Sequence, residues 1–126
     1  MRNKECIFFC YGTLKAGYTN HKYIFTDAKF LGNFETKPKY TLFDGAYPVT
    51  ERGGETSIKG ELYHSTNENE IQRVFELEGC HSQIQGNKAN WYDFDFCKTP
   101  WGDAVIFVMN KGKSGRTKVL ESGIWK

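Results

Sequence analysis

The chain lacks any apolar run long enough to cross a bilayer or to form the core of an export signal; its opening, MRNKECIFFCYG, offers only a short one. A cytoplasmic protein with reduced thiols is the expectation. Cys-x-x-Cys spacing is also missing. Cys6, Cys10, Cys80 and Cys97 are scattered, and no histidine pair stands at finger spacing, so a metal site is not expected and the thiols read as small hydrophobes. Nor does one sign of charge dominate. Seventeen Lys and Arg against 15 Asp and Glu give a net charge of +2, interleaved along most of the chain, which makes nucleic acid and anionic membrane unexpected partners. Absent too are a Gly-x-Ser-x-Gly elbow, a phosphate loop of the full Gly-x-x-x-x-Gly-Lys-Ser/Thr form and a spaced dinucleotide fingerprint. Serine-nucleophile and nucleotide-dependent chemistries therefore lose their usual signatures.

What is present suits one compact domain over residues 1–126, with neither a linker nor an internal repeat: 39% hydrophobic, 25% charged and 16% aromatic. Residues 6–11 read as a buried central strand. Asn20 can cap a short helix over HKYIFTDA, and residues 29–36 read as a strand. KYTLFDGAYPV reads as an aromatic strand broken at Asp44-Gly45, ERGGETS as a turn, and SIKGELYHS as a strand in which Gly60 permits a bulge or a close approach. TNENEIQRVFELEG opens with cap-type and acidic residues, then sets Ile71, Val74, Phe75 and Glu78 on one helical face. NWYDFDFC and DAVIFVMN are the last strands, joined through KTPWG. So many strands would leave open edges, so a small mixed, partly closed β-barrel of the α+β class with two or so flanking helices is the expected fold.

Glu78 is the chemically conspicuous residue, because a carboxylate on an apolar stripe must be paired, exposed at a helix end, or held in a pocket where desolvation raises its pKa into general-base range. Gly12, Thr13 and Leu14, directly after the first strand, could present backbone N–H groups as an anion-binding concavity, although a plain strand-to-helix turn explains the same residues. His21, His64 and His81 are scattered and read as structural or surface histidines. The basic run KGKSGRTK, with Lys111, Lys113, Arg116 and Lys118, reads as a solvated loop, a phosphate-binding edge being the lesser alternative.

YGTLKAGYTNHKYI resembles the opening of the γ-glutamylcyclotransferase-like proteins, in particular the γ-glutamylamine cyclotransferase and AIG2-like branch. YTLFDGAYPV, IKGELY, VFELEGC and the closing SGIW are similar to further family segments, in family order and across essentially the whole chain. The resemblance implies a small mixed β-barrel and cyclisation of a γ-glutamyl amide, a small-molecule substrate, to 5-oxoproline with release of the amine and without a cofactor. It places the catalytic Glu on Glu78 as general acid/base, the binding cradle on Gly12, Thr13 and Leu14, and Tyr11 as a pocket wall. In the amine branch a Tyr-x-Arg follows the catalytic Glu; the matching Tyr position here is Ile84, and an insertion would shift the aromatic to Trp91 or Tyr92, with no Arg after it. The alternative is a non-catalytic binding protein for a nucleotide or metabolite on the same barrel scaffold. A protein-interaction module is the least favoured, since core packing accounts for the aromatics.

Overall fold

The computed structural model describes residues 5–12, 27–78, 80, 85–86 and 92–125. In chain order these form β1 (Cys6–Cys10), β2 (Lys29–Glu35), β3 (Tyr40–Phe43), β4 (Val49–Arg52), β5 (Lys59–Ser65), a helix α1 (Glu68–Leu77), β6 (Asp93–Thr99) and β7 (Gly102–Val108). The helix expected after Asn20 lies outside the described residues apart from its end. No helix among the described residues is long and apolar enough to cross a membrane.

β1 is the centre of a five-stranded sheet ordered β2-β5-β1-β7-β6. It runs antiparallel to β5 and parallel to β7. Both its faces are buried: Phe8 and Cys10 enter the core beneath α1, while Phe9, followed by Tyr11, enters a second core with Tyr40, Leu42 and Ile58. A strand covered on both sides reads as a continuous apolar run, which is how CIFFC is written.

Two expectations need correction. Among the described residues the hydrogen-bonded ladder runs from β2 to β6 without joining those strands, so the five-stranded sheet is open and the expected partly closed barrel is not seen. KYTLFDGAYPV is a hairpin and not one interrupted strand: β3 and β4 pair antiparallel from Tyr40↔Arg52 to Phe43↔Val49, and Glu51 and Arg52 belong to β4 and not to the turn. The physical reason lies beyond β7. Arg52 N donates to Met109 O and Met109 N to Thr50 O, each at 2.8 Å, so β4 extends to dock on the continuation of β7.

Asn67 caps α1, accepting from Asn69 N at 2.9 Å and Glu70 N at 3.1 Å. Ile71, Val74 and Phe75 face the core as the periodicity predicts, and Glu76 is exposed. Glu70 is the surprise of the first turn. It is fully buried, and its carboxylate accepts from Asp27 N at 2.8 Å, Ala28 N at 3.3 Å and the Ser65 hydroxyl, tying the approach to β2 onto the helix.

Gly60 is a close-approach glycine. A Cβ there would collide with the Cys10 carbonyl oxygen and sit 2.9 Å from Phe9 Cζ, so β5 lies against the end of β1 only because position 60 has no side chain. Gly60→Ala should therefore lower stability by about 1–3 kcal/mol through overpacking, read as a lower chemical-denaturation midpoint.

Candidate functional site

The last apolar turn of α1 delivers Glu78. Phe75 is wedged edge-on against Phe8 at 5.9 Å, Phe94 at 5.3 Å and Phe107 at 5.2 Å between ring centroids, which fixes the helix over β1, β6 and β7. Glu78 N still donates to Val74 O at 3.1 Å, so the residue is the C-terminal cap and its position follows that of Phe75. Its carboxyl is set deep among protein atoms while the residue keeps partial contact with solvent, the situation of a group on the floor of a recess. Desolvation alone pushes its pKa up to about 7.

Around that carboxyl the chain gathers Tyr11 from the end of β1, Tyr92 from the start of β6, and two thiols. Burial raises the Tyr92 phenol, and the Glu78 charge raises it further. Burial likewise raises Tyr11, with Tyr92 and Glu78 adding to the effect. Cys10 and Cys80 respond in the same way, burial first and the Glu78 charge second, Cys80 reaching about 12. At neutral pH the phenols and thiols are therefore neutral, and Glu78 alone among these five groups titrates near 7.

Each wall residue is anchored. The Tyr11 hydroxyl donates to Phe107 O at 2.6 Å, and the buried Thr50 hydroxyl lies beside it without reaching hydrogen-bond geometry. Cys80 Sγ donates to Tyr92 O at 2.9 Å, which ties the exit of α1 to the entry of β6. Gly12 is explained by Pro48: a Cβ at position 12 would lie 2.8 Å from Pro48 Cγ and 3.1 Å from Cδ, so the loop that leads into β4 packs where a side chain would otherwise be.

Four of the residues singled out from sequence, Tyr11, Gly12, Glu78 and Tyr92, therefore fall in one region. Thr13 and Leu14 lie outside the described residues, as do His21, His81, Ile84 and Trp91. His64 is elsewhere, on β5 with Glu5 at 3.8 Å. Pro48, Thr50 and the Phe107 carbonyl were missed. Only the Tyr-Pro pair left any trace in the sequence. All four cysteines are buried and unpaired, packed as small hydrophobes.

The model of the family described as γ-glutamyl cyclotransferase, AIG2-like, matches residues 8–126. The chain belongs to this family. Over 120 residues it is 34% identical to a Vibrio cholerae protein named "Putative gamma-glutamylcyclotransferase", the match covering 94% of each chain. Among solved structures it is similar to an uncharacterized protein of Pyrococcus horikoshii, with 25% identity, a TM-score of 0.72, and coverage of 94% of this chain and 88% of that one. An AIG2-like protein of Mus musculus shares the fold, with a TM-score of 0.69 at 21% identity over 97% of this chain and 88% of the other. The likeness to the mouse AIG2-like structure is one of fold, here a mixed α+β fold with one five-stranded sheet.

Tyr11→Phe keeps the wall and deletes the donor to a buried carbonyl, so it should cost about 1–3 kcal/mol of stability. Thermal or urea unfolding of the variant checks this, and an unchanged midpoint would mean that the Phe107 carbonyl finds another donor.

Proposed function

We propose that the protein cyclises a small γ-glutamyl amide to 5-oxoproline and releases the amine, with Glu78 as general acid/base. The observation that carries this reading is a single carboxyl, raised to about 7 by burial, with Tyr11 and Tyr92 close enough to feel its charge, in a chain of the γ-glutamylcyclotransferase family. The chemistry needs little else. The substrate's α-ammonium becomes nucleophilic when the Glu78 carboxylate takes one of its protons. The freed amine attacks the γ-carbonyl of the same molecule, closing a five-membered ring. As the tetrahedral intermediate collapses, the bond to the amide nitrogen breaks and Glu78 returns its proton to that leaving nitrogen; the second proton on the ring nitrogen then passes to the released amine, which departs as an ammonium. Nucleophile and electrophile share one substrate, so the protein's task is to hold the folded pose.

Backbone N–H groups of Gly12, Thr13 and Leu14 would stabilise the negative charge that gathers on the carbonyl oxygen, and Tyr11 and Tyr92 would flank the substrate. A carboxylate base of ordinary pKa would take a proton poorly from an α-ammonium. One near 7 is better matched and can still give the proton back. Tyr11 and the buried thiols, held neutral, would not compete for that proton.

Mass-spectrometric detection of 5-oxoproline from a panel of γ-glutamyl amines and amino acids tests the reaction. Glu78→Gln should lower turnover about 10²- to 10⁴-fold, and unchanged turnover would exclude Glu78 as the base. A protein that binds such compounds, never turns them over and ignores the substitution would be the non-catalytic binder instead. For the active enzyme, kcat/KM should fall as pH drops below about 7, where Glu78 takes up its proton.

Stability should show the opposite side of the same shift. Because the folded-state pKa lies above the unfolded value, the carboxyl costs nothing below the ordinary Glu pKa; the penalty grows as pH rises toward 7 and is complete above it. Glu78→Gln should therefore raise the thermal midpoint at pH 8 and leave it nearly unchanged at pH 4, as paired scanning calorimetry would reveal.

A further inference from the structure

The basic run KGKSGRTK does not behave as a freely solvated loop. Glu51 on β4 is buried, and its carboxylate accepts from Gly112 N at 2.8 Å, Ser114 N at 3.2 Å and the Ser114 hydroxyl. Burial pushes that carboxyl up, but the hydrogen bonds from Ser114 and Gly112 together outweigh it and hold the pKa below its ordinary value. The loop is thus pinned to β4 by a charged acceptor. Arg116 N then donates to Ser114 Oγ at 3.1 Å, which passes the constraint on to Arg116.

The Arg116 side chain folds back over the segment between β3 and β4. Its guanidinium lies 4.8 Å from the centroid of the Tyr47 ring, and Nη1 donates to Asp44 O at 3.0 Å and Tyr47 O at 3.1 Å. Gly45 makes room for it, since a Cβ there would overlap Nη1. Tyr47 is followed by Pro48, the residue that packs on Gly12. The guanidinium is also close enough to Tyr92 for its charge to counter the rise in that phenol's pKa. Arg116, Tyr47, Pro48 and Gly12 therefore form one continuous rim that meets the Glu78 recess at Tyr92.

This cation has no carboxylate partner among the described residues. Asp44, whose carbonyl it holds, gives its carboxylate to Lys118 at 3.3 Å, and Asp93 and Asp95 are taken by Arg52 at 2.9 and 2.6 Å. Arg52, with Nε, Nη1 and Nη2 all bonded to side-chain oxygens, shows what a structural arginine looks like in this protein. Arg116 instead uses one nitrogen for two carbonyls. No hydrogen bond from Nη2 or Nε to a described residue accompanies it, and the group is only half-buried.

We infer that Arg116, fixed by Tyr47 and the Asp44 and Tyr47 carbonyls, recognises an anionic group on the departing amine of the substrate. The inference rests on the proposed cyclisation for which end of the ligand faces the rim. A planar fork whose Nη2 and Nε make no hydrogen bond to a described residue suits a carboxylate, which accepts two parallel hydrogen bonds. The positive charge comes from a residue far from Glu78 in sequence, and both act on the Tyr92 phenol.

Two isosteric compounds test it: γ-glutamylglycine, with a terminal carboxylate, and γ-glutamylglycinamide, in which that group is neutral. The wild type should prefer the first by about tenfold or more in kcat/KM. Arg116→Gln should remove the preference by slowing the acid alone, and Arg116→Lys should restore part of it. Tyr47→Leu should weaken it while thermal unfolding stays cooperative. Binding of both compounds to the Glu78→Gln protein, measured by calorimetry, separates the two claims. If neither compound yields 5-oxoproline but the acid still binds more tightly in an Arg116-dependent way, the cyclisation fails and the anion site stands. Equal binding of both compounds, binding of neither, or an equal loss of both in Arg116→Gln would overturn the anion site.

Discussion

The position of Glu78 depends on Phe75. Three rings from three strands, Phe8, Phe94 and Phe107, meet its edges within 6 Å between centroids, so the last turn of α1 has one seat on the sheet. Deleting a ring in such a setting typically costs about 3–5 kcal/mol. The carboxyl three residues later inherits that rigidity. It is carried past the apolar stripe to the point where β1 ends and β6 begins, and desolvation there raises its pKa to about 7. Packing and chemistry are thus linked by one helical turn: a loosened helix end would readmit water and return the carboxyl toward its ordinary value.

β1 makes the second link. Because both its faces are covered, its register to β5 and β7 is set by two cores at once, and Tyr11 emerges from the strand at a defined height. The hydrogen bond from its phenol to Phe107 O then holds the ring against the recess. The other two thiols are ordinary core residues. Burial raises Cys6 to about 12 and Cys97 to about 11, so neither is a thiolate near neutrality.

Charged side chains in the β3–β4 hairpin work as fasteners. Arg52 binds Asp93 and Asp95 on β6, and Glu51 binds the loop at 112–114, so adjacent residues of β4 face opposite ways and hold both the strand that begins at Asp93 and the C-terminal loop. The acids between the aromatics of NWYDFDF are partners of one arginine. These contacts assemble the rim of the recess from segments distant in sequence.

Much of this is local enough to be legible in residues. Continuous apolarity in CIFFC specifies a doubly covered strand, the spacing of Ile71, Val74 and Phe75 specifies one helical face, and Glu78 stands out because it shares that face. Gly60 signals a close approach because a missing side chain is itself a local fact. The hairpin at Asp44–Pro48 was misjudged, since its break and its pairing depend on Met109, far along the chain. Glu70 reads in sequence only as one acidic residue of a helix's first turn, and nothing near it shows that Asp27, Ala28 and Ser65 converge on its carboxylate. The open sheet, the burial of Glu51 and the placing of Arg116 over Tyr47 belong to the same class. By itself the sequence determined the strands, the helix and the carboxyl on the wrong face; tertiary structure alone decided what surrounds that carboxyl, because contacts between distant segments leave no periodic mark in the chain.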